Sequence, residues 1–396
     1  MALLLAFAWP GLGSLGGATG WLAGIAFAVS LVLTARLPAL AAPFGGLDHQ
    51  YAWHHLLGLA AYVFAVAHPF ALVWPWLVAG DAGSALFVWT HGAVAVTGWI
   101  ALALLLAPMA VTFWVPIGFR SWLRWHRITV LAFVATVLHL ATTSARGGLA
   151  WWAIVLIGAA ALALRAQVYR REAGHRYVIR TVQHPANACV EVELDPLDRG
   201  ITVKPGQYVF AAFHSGEAYE SCNEYHPFTV SAIRDGRLTL TIKALGDCTL
   251  EMQNLTRGLA ARVEGPFGAF FDEADASVPQ LWIAGGIGIT PFLAQLDRLG
   301  NDVDVKMAYL FRAGSDALHV DELIAAAESR PGMELATFTT ATDLAPLRRW
   351  LDSIAPLAGR EVYVCGPPPL LDAVVADLRT RGVPMNRIHF ERFDFR

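Results

Sequence analysis

Residues 51–68, YAWHHLLGLAAYVFAVAH, and residues 126–139, HRITVLAFVATVLH, decide the reading of this chain. Each carries a histidine pair, His54 with His68 and His126 with His139, inside a run otherwise nearly free of ionisable groups. A titratable side chain at bilayer depth costs several kcal/mol unless it faces a partner or a cofactor, so such histidines are functional by default. Two pairs at similar separations, fourteen and thirteen residues, predict two haems stacked in a membrane, held by four axial imidazoles that set their redox behaviour.

The surrounding composition supports a membrane setting. Residues 1–166 hold only eight Asp, Glu, Lys and Arg but twelve of the fourteen tryptophans, and the remaining 230 residues hold the other 53 charges. At roughly 20 apolar residues per crossing, spans are expected near residues 18–35, 51–73, 85–107, 126–143 and 150–166. The run Ala2 to Trp9 is too short to cross alone and stops at Pro10, making it an abbreviated sixth helix or the remnant of a misassigned start. With no preceding basic residue and no convincing cleavage site, it does not read as a signal peptide.

Arginine sets the expected orientation. Arg36, then Arg120, Arg124 and Arg127, then Arg165, Arg170 and Arg171 recur on one side, and the opposite loops hold only Asp81 and Arg146. The arginine side is expected to be cytoplasmic, in a multi-pass cell (inner) membrane. His54 and His126 then share the inner level and His68 and His139 the outer, roughly 20 Å apart at about 1.5 Å per residue. Fourteen residues return to within roughly 40° of the starting helix face, but thirteen leave His126 and His139 roughly 140° apart. The second pair therefore needs a local helix distortion or differently approached haem planes. His55 competes with His54 for the pairing with His68, and His54 is weakly preferred; His91 reads as a satisfied core residue.

The second half is of another class. Short alternating runs at Tyr177 to Val182, Val190 to Leu194, Gln207 to Phe213 and Leu238 to Ile242, with turns at Pro205-Gly206 and Asp235-Gly236, predict a small antiparallel barrel. After Pro279 the apolar strand Leu281 to Ala284 enters Gly285-Gly286-Ile287-Gly288-Ile289-Thr290-Pro291 and a helix from Phe292. Strands at Val305 to Phe311, Leu335 to Thr339 and Val362 to Cys365 then alternate with helical stretches, as an open parallel sheet requires. Glycines between strand and helix let the backbone approach a pyrophosphate. Cys365-Gly366-Pro367 ends a strand at the carboxyl edge where such sheets bind ligands. The expected domains are 1–170, a helical di-haem bundle of five to six helices; 171–275, a β-barrel; and 276–396, an α/β parallel-sheet domain.

The barrel also carries His226-Pro227-Phe228-Thr229, Lys243-Ala244-Leu245-Gly246-Asp247-Cys248-Thr249 and Gly265-Pro266-Phe267-Gly268. With His54-His55-Leu56-Leu57-Gly58, Thr97-Gly98 and Trp125-His126, these make the chain resemble the membrane ferric reductase and NADPH oxidase family, whose soluble part is of the ferredoxin reductase type. The resemblance covers essentially everything beyond about residue 18. It implies that His226, Pro227, Phe228 and Thr229 line FAD, with the Thr229 hydroxyl near the reactive flavin nitrogen. Lys243 and Thr249 would lie near the FAD pyrophosphate. Gly285, Gly286, Gly288, Thr290 and Pro291 would bind the nicotinamide nucleotide, and Cys365, Gly366 and Pro367 would flank the nicotinamide. Glu391-Arg392-Phe393 resembles the terminal acidic-x-aromatic element whose ring covers the flavin; Phe395 is the other candidate ring. Cys248 stands where an aromatic residue is common in that motif.

The implied function is electron transfer from cytoplasmic NADPH, with NADH as the alternative, through FAD and two b-type haems to an acceptor outside. Oxygen, yielding superoxide, is the expected acceptor; a ferric chelate or a quinone is the alternative. A different class, a non-catalytic nucleotide-responsive membrane sensor, would use the histidines structurally. Arg312, following the strand Val305 to Phe311, can receive a ribose 2′-phosphate, which favours NADPH. Cysteines 189, 222, 248 and 365 show no metal-like pair spacing, so neither a disulfide nor an iron–sulfur cluster is expected. No calcium-binding loop, obligatory regulatory subunit or nucleic-acid partner is indicated; the formal charge is −3.

Overall fold

The computed structural model describes residues 15–391 apart from 36, 45, 144–148, 171–173, 223, 273, 276, 301, 302 and 340–342. The chain divides into two compact units, one built mainly from residues up to Arg171 and the other from Glu172 to Asp394. The first unit is helical: α1 (Leu15–Val32), α2 (Leu47–Val78), α3 (Ala82–Thr90), α4 (Gly92–Trp114), α5 (Phe119–His126), α6 (Ile128–Thr142) and α7 (Leu149–Arg170). Among the described residues four stretches are long and apolar enough to cross a membrane: Leu15–Val32, His49–Val78, Gly92–Trp114 and Ser121–Thr142. Their outward surfaces carry Leu56, Leu59, Val63, Phe70, Trp74, Val96 and Ile100, all exposed. Such a surface is unfavourable in water and suits acyl chains, while the helices satisfy their own backbone groups.

The expected span over 85–107 is corrected to two helices meeting at His91, whose extended backbone ends α3 and begins α4. Gly92, with φ +85°, supplies the left-handed turn between them. The expected span over 126–143 falls within the stretch Ser121–Thr142, with one irregularity near its start. Arg127 separates α5 from α6, its N–H shared between the Leu123 and Trp125 carbonyls, and the Thr129 hydroxyl donates to the His126 carbonyl at 2.6 Å. That interruption lies between the two histidines of the thirteen-residue pair. Helix α2 runs through Pro69 and Pro75, and the Pro69 carbonyl accepts a hydrogen bond from Trp89 Nε1 at 2.8 Å. The apolar run Ala2 to Trp9 lies outside the described residues.

In the core of this unit α4 packs along α6 and α1 along α7. Trp21, Phe27, Ala61, Leu105, Ala132, Phe133 and Ile154 are buried together. Gly158 on α7 admits the Phe133 ring, which a β-carbon would strike.

The second unit opens with a closed barrel ordered β1-β2-β5-β4-β3-β6, made of His175–Ala186, Cys189–Pro196, Tyr208–Phe213 (β3), His226–Arg234 (β4), Arg237–Lys243 (β5) and Ala260–Phe267 (β6) in chain order. Short helix α8 (Asp247–Glu251) follows β5. A parallel sheet follows, ordered β11-β10-β7-β8-β9, from β7 (Gln280–Gly285), β8 (Val305–Phe311), β9 (Met333–Thr339), β10 (Glu361–Cys365) and β11 (Ile388–Phe390). Helices α9 (Thr290–Leu296), α10 (Val320–Ser329), α11 (Ala345–Ser353) and α12 (Pro368–Thr380) connect the strands. Helix α9 thus starts at Thr290, two residues earlier than expected. Trp282, Met307, Tyr309 and Tyr363 bury one sheet face, and Leu281, Ile283, Ala308, Val362 and Val364 bury the other. This two-sided burial is typical of parallel sheets.

Barrel and sheet share an aromatic joint. Phe271, just beyond β6, lies 4.7 Å from Tyr363 and 5.6 Å from Trp282 between ring centroids. Phe270 lies 5.6 Å from Phe292. A polar clamp reinforces the joint: His319 Nε2 meets Glu191 of β2 at 2.9 Å, and the Thr241 hydroxyl donates to the same carboxylate at 2.8 Å. The hydrogen bond to Glu191 raises the His319 imidazole to about 9 against the pull of burial, with help from the Glu191 and Glu322 charges. Glu191 is pushed up by burial but held below its ordinary value by hydrogen bonds from His319 and Thr241.

A histidine raised in the folded state stabilises fully below its unfolded value near 6.5 and loses that contribution as pH climbs through about 9. The unfolding midpoint of this unit should therefore fall between pH 6.5 and 9. His319→Gln should flatten the slope and lower the midpoint by about 2–4 °C at neutral pH. An unchanged pH slope in the variant would show that the clamp does not carry the effect.

Candidate functional site

In the helical unit the four histidines come together as two pairs. His54 on α2 and His126, ending α5, have ring centroids 6.2 Å apart and planes at 80°. His68, one level along α2, and His139 on α6 are 6.3 Å apart at 72°. With metal–imidazole bonds of about 2.1 Å and a ring radius of roughly 1.1 Å, two imidazoles on opposite sides of one ion have centroids about 6.4 Å apart. The spacing of both pairs matches that arrangement. His55 is a neighbour of His54, at 5.6 Å, and the ring facing His126 is that of His54.

Hydrogen bonds fix which ring nitrogen is available. A carbonyl only accepts, so His54 Nδ1 donates to the Ser30 carbonyl at 2.9 Å and His68 Nδ1 donates to the Gly16 carbonyl at 2.8 Å. The tautomer that results carries its proton on Nδ1 and leaves Nε2 unprotonated, the form a metal takes. His139 Nδ1 lies 3.2 Å from the Thr97 hydroxyl. The His68 and His139 rings also need room. A β-carbon at Gly20 would sit 2.8 Å from His68 Cε1, and one at Gly98 3.0 Å from His139 Cε1. At the other level a cavity of about 1040 Å³ is lined by Phe27, Ser30, His54, Met109, His126 and Arg127. Sequence reasoning missed Ser30, Gly16 and Gly20, which lie on α1, distant in sequence from the histidines they serve.

In the second unit His226, Pro227, Phe228 and Thr229 form the start of β4, paired with β3 in the register Tyr208 to Thr229. β4 packs against α9, the helix leaving the glycine-rich loop. Gly285, Gly286 and Gly288 lie at the carboxyl end of β7, beside β10, so the loop abuts Cys365-Gly366-Pro367: a β-carbon at Gly288 would meet the Cys365 carbonyl, and one at Gly285 would meet Leu370 and Pro367. The Cys365 side chain is buried in the sheet core, and burial pushes its thiol well up. Cys365 is therefore a neutral thiol, offering the loop its backbone. Thr290 is buried, its hydroxyl donating to the Ile287 carbonyl at 3.1 Å, and Pro291 is buried in the first turn of α9.

Thr249 organises its own loop, accepting from the Leu245 and Gly246 N–H groups at 2.9 and 3.0 Å. Lys243 closes β5 at the entry to that loop. Arg312 is exposed immediately beyond β8. Phe393 and Phe395 lie outside the described residues. Glu391, the last residue described, reaches Gly268: a β-carbon there would stand 2.6 Å from Glu391 Oε1 and 3.0 Å from the Tyr208 ring.

Sequence spacing also missed a cluster: Cys222, His226 and Cys248 place their donor atoms within 4.8 Å of one another. Burial raises the Cys222 thiol, but hydrogen bonds with His226 and Cys248 outweigh it and hold the group at about 7.

Residues 19–137 match the family model of the ferric reductase like transmembrane component, and residues 177–270 match that of a FAD-binding domain. The chain thus joins a ferric reductase-like transmembrane domain to a FAD-binding domain of the ferredoxin reductase type. It is 26% identical over 237 residues to the toluate 1,2-dioxygenase electron transfer component of Pseudomonas putida, covering 56% of this chain and 68% of that one. It is 27% identical over 228 residues to the propane 2-monooxygenase reductase component of Rhodococcus jostii (strain RHA1), covering 52% and 59%. The chain thus spans about three-fifths to two-thirds of these relatives' length. A flavohemoglobin structure from Malassezia yamatoensis aligns over 97% of this chain and 98% of its own at a TM-score of 0.52 and 18% identity, a likeness of fold alone. The protein is a multi-pass membrane flavoprotein, an NAD(P)H-dependent oxidoreductase.

Because a β-carbon at Gly288 would collide with rigid backbone, Gly288→Ala should displace the loop from β10. NAD(P)H oxidation at subsaturating nucleotide should drop by about tenfold or more, with bound FAD retained. An unchanged KM for the nucleotide would show that the loop does not receive it.

Proposed function

We propose that this protein carries electrons from cytoplasmic NADPH, through FAD and two b-type haems, to dioxygen on the outer side of the cell membrane, releasing superoxide. The observation that supports the relay is the pair of imidazole couples, each at the spacing of two ligands on one ion, stacked along α2 in an apolar bundle. Bound FAD would supply the conversion between the two electrons of a hydride and the single electrons a haem accepts.

The residues take the following roles in this reading. His54 and His126 hold the inner iron through Nε2, and His68 and His139 hold the outer one. Ser30 and Gly16 keep two of these rings in the ligating tautomer. The start of β4, from His226 to Thr229, lines the flavin, and the backbone of the glycine loop and of Cys365 to Pro367 receives the nucleotide beside it. The packing of β4 on α9, the helix that leaves the glycine loop, supports this reading, since hydride transfer needs the two rings held together. No acid–base residue is needed. The arginines at 120, 124 and 127, and at 165, 170 and 171, mark the cytoplasmic side.

His68→Ala and His139→Ala should each lower the haem content from two per chain towards one while flavin reduction by NADPH persists. Two haems in both variants would sink the assignment, and a dithionite-reduced spectrum without haem bands would favour a sensor. For the acceptor, NADPH consumption is followed with superoxide detection, with and without superoxide dismutase, and with ferric citrate as competitor. Turnover that depends on ferric citrate and yields no superoxide would replace dioxygen by a ferric chelate.

Nucleotide choice rests on Arg312, exposed at the end of β8 where a 2′-phosphate would lie. Arg312→Glu should raise the KM for NADPH more than that for NADH. Equal effects on both nucleotides would remove the residue from phosphate recognition.

A further inference from the structure

Four donor atoms converge at the entry to β4. Cys222 Sγ lies 3.4 Å from His226 Nε2. Glu224 Oε2 lies 3.9 Å from that nitrogen and 3.8 Å from Cys248 Sγ. The two sulfurs and the imidazole nitrogen are all within 4.8 Å of one another. We propose that Cys222, His226 and Cys248, with Glu224 as the fourth donor, bind a zinc-class divalent cation.

Bond lengths of about 2.0–2.3 Å to N, O and S place the edges of a tetrahedral zinc site at about 3.3–3.8 Å. The edges at 3.4, 3.8 and 3.9 Å lie at that length or a few tenths of an ångström above it, and the remaining sulfur and nitrogen edges are within 4.8 Å, so the donors close on an ion by side-chain adjustment. Their chemistry also fits: two thiols and one imidazole suit a borderline-soft cation, and a carboxylate completes four-coordination. Binding exchanges the two thiol protons for the metal and releases them to solvent, with no change of oxidation state.

The ligands come from distant parts of the chain. Cys222 and Glu224 lie in the segment before β4, His226 is its first residue, and Cys248 sits in the first turn of α8 after β5. A bound ion therefore cross-links the two segments that carry the His226 to Thr229 and Lys243 to Thr249 motifs. It also directs the His226 imidazole to the thiols and leaves the backbone and side chains of Pro227 to Thr229 for the flavin. Such a cross-link stabilises the barrel on the face where these motifs meet, and it is independent of the electron acceptor and of the iron count.

The test uses the full-length protein in detergent under reducing conditions, loaded with zinc and dialysed, with zinc and iron measured separately by elemental mass spectrometry. Wild type and a Cys189→Ser control should retain about one zinc per chain, with zinc-dependent protection of Cys222 and Cys248 from alkylation and a melting midpoint that falls on chelation. Cys222→Ser and Cys248→Ser should bind zinc at least about tenfold more weakly without altering iron content. Cobalt loading should give thiolate-to-metal absorption in wild type and lose it in either variant. Wild-type protein that keeps no zinc and leaves both thiols equally reactive with and without it overturns the site. So does recovery of a Cys222–Cys248 disulfide in place of metal, which would identify a redox pair. Both readings are made on wild type, so a variant that fails to fold does not obscure them.

Discussion

Four imidazoles placed among apolar helices must be satisfied from within the bundle, and the helical unit is arranged around that constraint. At bilayer depth there is no bulk water to take an unpaired ring nitrogen. His54 and His68 instead spend Nδ1 on backbone carbonyls of α1, at Ser30 and Gly16. Those bonds require α1 to lie close along α2, which is why glycine stands at 16 and 20, where a β-carbon would strike Leu72 or His68. The same demand acts at His139, where Thr97 supplies a hydroxyl and Gly98 the space. Ring spacing, tautomer and helix approach are thus one problem with one solution.

The break at Arg127 belongs to that solution. An unbroken helix would turn His126 and His139 to different faces, and a single residue out of register restores their alignment with the two levels of α2. At the break the Thr129 hydroxyl donates to the His126 carbonyl. In the second unit an aromatic joint has the comparable role. Phe270 and Phe271 insert between barrel and sheet, and His319 with Glu191 adds an oriented charge pair at the joint. Because β4 and α9 belong to opposite sides of it, the joint holds the flavin-type motif and the glycine loop in a fixed relation.

Much of this was legible in the residues. The depletion of charge before residue 166 separated membrane from soluble halves, since a membrane crossing tolerates few ionised groups. Alternation with turns at Pro205-Gly206 and Asp235-Gly236 gave the barrel, and apolar strands alternating with helices gave the parallel sheet, because period-two and two-sided burial leave different patterns. That His126 and His139 need either a local distortion or differently approached haem planes followed from helical geometry alone. The division at His91 was missed because the apolar pattern runs through it without a charge or proline; a φ-positive glycine at 92 was the available sign.

By itself, the sequence determined the two halves, the classes of their folds and four histidines at near-repeating intervals, because composition and periodicity are local properties of the chain. Tertiary structure alone decided which atoms meet. His54 rather than His55 faces His126 because of the rotation of α2 in the bundle. Ser30 and Gly16 become partners of histidines 24 and 52 residues away because α1 packs beside α2. Cys222, Glu224, His226 and Cys248 converge because the barrel brings the start of one strand next to the end of its hairpin partner. Their separation in sequence carries no signal of that meeting, since proximity across a sheet is set by strand register and not by distance along the chain.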